Sequence, residues 1–386
     1  MEVGDYMETI EIAKKDEIVM KLVHYFVTEE NYVPIIVNGV KNEVWLENSE
    51  GPYKIIRINS NYIHNNEQLN YDIFKTKNVM KQIRSKTLSL KMNSLNILLD
   101  VRKDVKLSDQ KNVSVVKISS EKELNNNKLL NNLFPEMKDK ILKVKDDKID
   151  FLFSVSHDIN EKTTKENKVY EDTFKPKKVR LTYILMAISI IAYVLSVFGR
   201  ISESVDLNTM FGLHRSYVLG KGQWYRLITA GFLHVDVLHL FFNMYSLNIL
   251  GSQLEQFLGK RKLAIIYFLS AVMASMFSIT LNNTWSIGAS GAIFGLFGSI
   301  IYFGYHYRLY FGQALRNQLI PVLFMNLLLG FMIPNIDVAA HLGGLFAGVL
   351  LTMAVGIDGK TKKRDHINGI VCYLLLVIFL LYLLLK

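Results

Sequence analysis

Residues 263–307 read LAIIYFLSAVMASMFSITLNNTWSIGASGAIFGLFGSIIYFGYHY, with no Asp, Glu, Lys or Arg. A helix needs about 20 apolar residues to cross the hydrocarbon of a bilayer. The run is too long for one crossing and suits two, split at the polar break Asn282-Asn283-Thr284-Trp285-Ser286. Further charge-free runs lie on either side, at 181–199, 237–254, 317–336, 338–357 and 366–385. Each is one crossing long. The pattern predicts a multi-pass α-helical membrane protein with spans near 181–199, 236–253, 263–281, 289–306, 317–333, 338–356 and 366–385.

The rest of the chain is different. Residues 1–180 hold 31 basic and 28 acidic side chains, and residues 181–386 only 14 and 7. No single water-soluble domain divides its charge that way, so a wet part is joined to a lipid-embedded part near residue 178. Cys372 is the one cysteine, which excludes an intrachain disulfide and a cysteine metal cluster. The N-terminus, MEVGDYMETIEIAKK, is charged and lacks an apolar core, so no cleavable signal peptide is expected.

Basic residues in the connections set the orientation, because Lys and Arg stay on the cytoplasmic side. Lys175, Lys177, Lys178 and Arg180 precede the first span. Lys260–Lys262, Arg308 with Arg316, and Lys360 with Lys362–Arg364 follow the second, fourth and sixth. Every second connection is therefore basic. That places the N-terminal part in the cytoplasm, at the plasma membrane, and after seven spans leaves the C-terminus outside. The first outside loop, 200–235, is long and carries Trp224 and Tyr225. It reads as a structured loop at the interface.

A polar side chain inside a span is costly and needs a reason. Three groups stand out, all at outside-facing ends. His234, His239 and Asn243 lie in FLHVDVLHLFFN. His239 and Asn243 are four apart and share a helix face, whereas on a continuous helix His234 points about 140° away. Gly288-Ala289-Ser290-Gly291 opens the fourth span. His341 lies in AAHLGGLFAG of the sixth. Each has an ordinary explanation alone. A membrane serine commonly bonds its own backbone, and the pairs Gly291/Gly295 and Gly344/Gly348 commonly mark only close helix packing. Two His and an Asn without carboxylate or thiolate make a poor zinc site. Together they suggest more. A serine nucleophile needs a base, and His341 is available. An oxyanion needs donors, and His239, Asn243 and the Ser290 N–H are available. The Gly-x-Ser-x-Gly elbow is absent, since Ala292 follows Gly291, which argues against an α/β-hydrolase.

The set resembles the rhomboid intramembrane serine proteases. Their pattern HxxxxHxxxN matches His234, His239 and Asn243. GxSG matches Gly288, Ser290 and Gly291, and AHxxGxxxG matches Ala340, His341, Gly344 and Gly348. Trp224-Tyr225-Arg226 is similar to the family's Trp-Arg signature in the first loop. The resemblance covers about 181–356. It implies Ser290 as nucleophile and His341 as general base, in a dyad without a carboxylate. It implies His239, Asn243 and the Ser290 N–H around the oxyanion, with His234 a further motif member. Phe294 fills the place of an aromatic that stacks on the dyad histidine. It implies a six-span core with a seventh C-terminal span, the "6+1" arrangement of Gram-positive members with a cytoplasmic N-terminal domain. Transmembrane protein substrates in the lipid bilayer are implied, and no cofactor or metal.

Residues 1–156 read as a small cytoplasmic α/β domain. Helices are expected at 7–29, 66–89 and 121–133, and strands at 32–37, 43–47, 53–58, 95–101 and 113–118. The stretch 136–150 is Lys/Asp-rich yet keeps Ile141, Leu142 and Val144. Residues 157–178 read as a polar linker, 179–357 as the protease core, and 358–386 as a basic loop and last span. His24, His64 and His157 have no ligand spacing. With near-zero net charge in residues 1–180, nucleic acid is not expected; the surplus at 175–180 faces anionic lipid. An unidentified cytoplasmic partner or ligand is the expectation. Two other readings are a non-catalytic adaptor that binds membrane clients through the same fold, and a transporter. A transporter predicts an inverted repeat and paired intramembrane charges, and the spans show neither.

Overall fold

The computed structural model describes residues 14–87, 89, 91–141, 148–175, 177–202, 206–334 and 336–386. Met7, Ile10 and Ile12 of the first expected helix, and Leu142 and Val144, lie outside the described residues. Contacts divide the chain into two units, Met1–Lys168 and Val169–Lys386.

The first unit opens with α1 (Lys14–Thr28). Strands β1 (Val33–Ile35), β2 (Glu43–Glu47) and β3 (Ile55–Ile63) follow, then α2 (Asn66–Thr87), β4 (Ser94–Val101) and β5 (Val113–Lys117). The sheet order is β1-β2-β3-β4-β5. The first two pairings are antiparallel and the last two parallel. Parallel neighbours need a crossover, and α2 supplies it between β3 and β4. Leu46, Ile56, Ile58, Leu95 and Ile97 pack with Leu22, Tyr25 and Phe26 of α1 on one face. Trp45, Ile55, Ile63 and Leu98 pack with Leu69, Ile73 and Met80 of α2 on the other. A sheet covered on both faces buries successive positions of its strands, and β3 and β4 are buried through Ile55–Asn59 and Ser94–Leu99, with Arg57, Asn59, Ser94 and Asn96 among the apolar side chains.

Three short helices follow: α3 (Glu121–Asn126), α4 (Lys128–Leu133) and α5 (Met137–Lys140). The helix expected over 121–133 is split at Asn127. That residue ends α3, and its side chain accepts the Leu130 N–H to begin α4. Next comes α6 (Lys148–Phe174). Most of the stretch expected as a polar linker, 157–174, is therefore helical. Its polar composition marks a helix without a wide apolar face.

The second unit is helical. Its long helices are α7 (Leu181–Ile201), then, after the first loop, α10 (Val237–Leu258), α11 (Lys260–Leu281), α12 (Ser290–His306), α15 (Val338–Val355) and α16 (Lys363–Leu385). The loop between α7 and α10 is built from α8 (Leu207–Phe211), a π turn Ser216–Gly220, α9 (Arg226–Thr229) and a 3-10 turn Ala230–Phe232. Between α12 and α15 the chain forms α13 (Arg308–Ala314), a π turn Leu315–Leu319 and α14 (Ile320–Met332). Among the described residues, five helical segments are long and apolar enough to cross a membrane. A sixth is counted if Arg226–Phe232 and Val237–Leu258, bent by 99°, form one broken span. This is a multi-pass helical membrane protein. Seven full spans were expected. The expected span not among these is α12, whose 17 residues are one fewer than those of α15 and rise about 26 Å.

Burial ranks the helices. In α12 every position from 291 to 300 is buried, as befits a helix apolar all round. The apolar windows of α11 and α15 are 61% and 44% buried, whereas those of α7, α16 and the 311–332 segment are 17–22% buried. The last three are peripheral. Glycine decides how closely the centre packs. A Cβ on Gly344 would stand 1.9 Å from the Gly291 carbonyl oxygen, and one on Gly348 1.8 Å from that of Gly295. No side chain fits there, so α12 and α15 run backbone against backbone.

Candidate active site

That contact sets the site. Ser290 is the first residue of α12, and the first bond of this helix runs from the Ile293 N–H to the Ala289 carbonyl. The Ser290 N–H therefore precedes the helical ladder, at the positive end of the helix dipole. His341 lies in the first turn of α15, where its N–H bonds the Asp337 carbonyl at 3.2 Å. With the two helices in glycine contact, His341 Nε2 lies 2.9 Å from Ser290 Oγ. Phe294, one turn after the serine, stacks on the His341 ring with centroids 4.1 Å apart and planes 8° apart. His341 is 7% exposed, and its Nδ1 is buried without a protein hydrogen bond.

The serine turn is held from the first loop. The Gly288 N–H bonds the Ala230 carbonyl at 3.0 Å, and Leu213 and Ser286 exchange two backbone bonds of 3.0 Å. Gly288 has φ 131°, a region that only glycine adopts readily. A Cβ there would also meet the His239 ring at 2.7 Å. The imidazole of His239 thus fills the space beside the turn that leads to Ser290.

His239 and Asn243 lie on successive turns of α10. The Asp236 side chain accepts the His239 N–H at 2.8 Å and starts the helix. The Asn243 amide donates to the His239 carbonyl at 2.9 Å. The helical-wheel placement of His234 does not hold, because α10 begins only at Val237. The chain before it turns back and brings the His234 ring to 5.1 Å from that of His239, fully buried.

Arg226 is buried away from this centre. It donates to Gln223 Oε1 at 2.7 Å and to the carbonyls of Thr209 (2.9 Å) and Gly212 (2.5 Å). Its guanidinium carbon lies 4.5 Å from the Tyr217 ring centroid. It braces the first loop, while Trp224 is half-exposed at 43%. Sequence reading gave no role to Ser275, whose hydroxyl donates to the Leu227 carbonyl at 2.9 Å. It also gave none to Asp337, which receives Ser278 and Asn282. An Asp just before a helix is a readable cap signal, but its partners on another helix are not. Among the described residues no three His, Cys, Asp or Glu side chains group as metal ligands.

The arrangement offers a serine hydroxyl on an imidazole nitrogen, with helix N–H and amide donors nearby. In the comparisons, the Rhomboid domain pattern matches residues 221–357. Over 223 residues the chain is 30% identical to rhomboid protease GluP of Bacillus subtilis, covering 57% of this chain and 44% of that protein. Over 140 residues it is 36% identical to putative rhomboid protease YdcA of the same organism, covering 35% of this chain and 70% of that protein. Over 166 residues it is 35% identical to inactive RHOMBOID-like protein 8 of Arabidopsis thaliana, covering 39% and 47%. The chain thus spans less than half the length of GluP and of that plant relative.

Proposed function

The chain belongs to the rhomboid family, and we propose that it is an intramembrane serine endopeptidase working through a Ser290–His341 dyad. The contact of 2.9 Å between His341 Nε2 and Ser290 Oγ carries this reading. Ser290 Oγ attacks the scissile carbonyl carbon while His341 Nε2 takes its proton. The oxyanion is met by the Ser290 N–H at the start of α12, with His239 and Asn243 as further donors. His341 then passes the proton to the leaving amine, and the C–N bond breaks. A water, deprotonated by His341, hydrolyses the acyl ester and restores the serine. With no partner on Nδ1 among the described residues, the imidazole is held by the Phe294 stack and by the position of α15.

The substrates are membrane proteins cut in or beside a transmembrane segment. Their helices must unwind there, because a helix keeps its carbonyls in hydrogen bonds. In this reading the core is 179–357, and α16 is the added span of a 6+1 arrangement after a basic loop (358–386). Residues 1–156 form a cytoplasmic α/β domain, joined through 157–178, for a partner or ligand not yet identified. The C-terminus lies outside. Ser290→Ala and His341→Ala should each abolish cleavage of a transmembrane reporter by folded protein. Full activity in Ser290→Ala would sink the proposal.

One relative is named inactive, which supports a second reading: a client-binding adaptor without catalysis. Serine-directed fluorophosphonate separates the two, since only an activated Ser290 should be labelled.

A further inference from the structure

We propose that Asp337 is the positioning residue of the Ser290–His341 pair, its carboxylate fixing the first turn of α15 against the end of α11. This rests on reading that pair as a catalytic dyad.

Capping α15 needs little of this side chain. Asp337 Oδ1 accepts the Ala340 N–H at 3.0 Å, and its carbonyl takes the His341 N–H. That is an ordinary N-cap. The carboxylate takes two more donors, both from elsewhere: the Ser278 hydroxyl on Oδ2 at 2.5 Å and the Asn282 amide on Oδ1 at 2.9 Å. Ser278 lies in α11. Asn282 ends α11 and begins the connection that leads to Ser290. One side chain therefore grips the turn that holds His341 and the start of the strand of chain that delivers the serine.

The dyad needs such an anchor. Among the described residues His341 Nδ1 has no hydrogen-bond partner, so packing rather than a hydrogen bond to the far side of the ring aims it. The ring follows wherever the first turn of α15 goes, guided by Phe294. A misplacement of about 1 Å at a reacting pair costs roughly 100-fold in rate. Asp337 is bonded to Ser278, Asn282 and the first turn of α15 and not to Ser290 or the His341 ring, so its part is positioning.

The test uses the full chain in detergent, with two readouts: steady-state cleavage of a transmembrane reporter, and the rate of fluorophosphonate labelling of Ser290. Asp337→Asn keeps an oxygen to cap α15 but turns one acceptor into a donor. Labelling rate and kcat should fall about 10-fold, the equivalent of one lost hydrogen bond, with KM within about twofold. Ser278→Ala leaves the cap untouched and should show the same split. Asp337→Ala should lose roughly 100-fold; if it does not fold, the other two variants decide. Labelled wild type together with equally labelled Asp337→Asn and Ser278→Ala overturns the positioning role alone. So does a rise in KM at constant kcat. Wild type that neither labels nor cleaves overturns the dyad reading itself, and the positioning role with it.

Discussion

In the strand-bearing unit Glu43 and Asp72 meet a buried cation; in the helical unit Glu255 meets N–H groups. Glu43 bonds Arg57 at 2.9 Å and Lys75 at 2.7 Å, and Asp72 takes the other side of the same guanidinium. Arg57 itself is fully buried. Glu255 of α10, 2% exposed, has no such counterion among its bonds. It accepts the N–H groups of Arg180, Leu181 and Thr182, each at 2.9 Å, and the Thr182 hydroxyl at 2.8 Å. Exposed Asp236 and half-buried Asp337 also accept helix N–H groups. A helix N-terminus carries about half a positive charge already in place. An ion pair would require a second charge to leave water, at several kcal/mol per ion. In the charge-poor unit Glu255, Asp236 and Asp337 thus take helix N–H groups, and in the charge-rich unit Glu43 and Asp72 serve as counterions to Arg57.

The largest effect should come from breaking the counterion scheme. Arg57→Ala leaves Glu43 and Asp72 facing each other with only Lys75 for charge, and should cost about 3–5 kcal/mol. Glu255→Gln should cost less, about 1–3 kcal/mol. Its amide oxygen still accepts, and no cation is stranded. Hydrogen-exchange protection of β3 and of the start of α7, followed in the full-length variants, gives the two numbers. Equal losses would erase the distinction.

The second effect is on pH. Burial alone would push Glu43 up, but the hydrogen bonds and charge of Arg57, then Lys75 and Trp45, hold it below its ordinary value. Asp158 is also held low, first by its bond to His24. A carboxylate depressed in the folded state stabilises fully above its unfolded value and loses that contribution as pH falls through its folded value. Protection in β2, β3 and α1 should therefore decay from about pH 4 downward. Glu43→Gln should flatten that decline. An unchanged acid limb in Glu43→Gln would mean that the pair carries no linkage.

Much of this contrast could be read from sequence, and the reasons differ by element. Lipid forbids charge, so the spans announced themselves, and Ser290, His341, His239 and Asn243 stood out against an apolar background. The Phe294 stack on His341 was implied only by the family resemblance, since a spacing of four from Ser290 does not say what the ring meets. Three features could not be read. His234 meets His239 only because α10 starts three residues after it. The π turn Leu315–Leu319 lies in the polar stretch Arg316-Asn317-Gln318 just before the expected span, and composition does not tell a π turn from an α turn. The carboxylate of Asp337 takes partners 55 and 59 residues away, and periodicity carries no such information.

The smallest effect concerns polar groups that use neither device. Ser299 and Thr352 are fully buried between α12 and α15. Ser299 Oγ lies 3.2 Å from the Gly348 carbonyl oxygen, and Thr352 Oγ1 lies 2.7 Å from that oxygen and 2.6 Å from Ser299 Oγ. Each hydroxyl has one proton, so the carbonyl can take both, or Thr352 can give its proton to Ser299 instead. Thr352→Val keeps the shape and leaves Ser299 bonded to the carbonyl, at a cost of about 1 kcal/mol. Ser299→Ala leaves Thr352 bonded to the same oxygen and should cost about as much. Removing both hydroxyls strands only one lone-pair acceptor that already belongs to the helix ladder. The double variant should therefore cost less than the sum of the singles. Strict additivity in a thermal-unfolding cycle would mean that the two hydroxyls act independently. A neutral pair would then differ in kind from the coupled charges around Arg57.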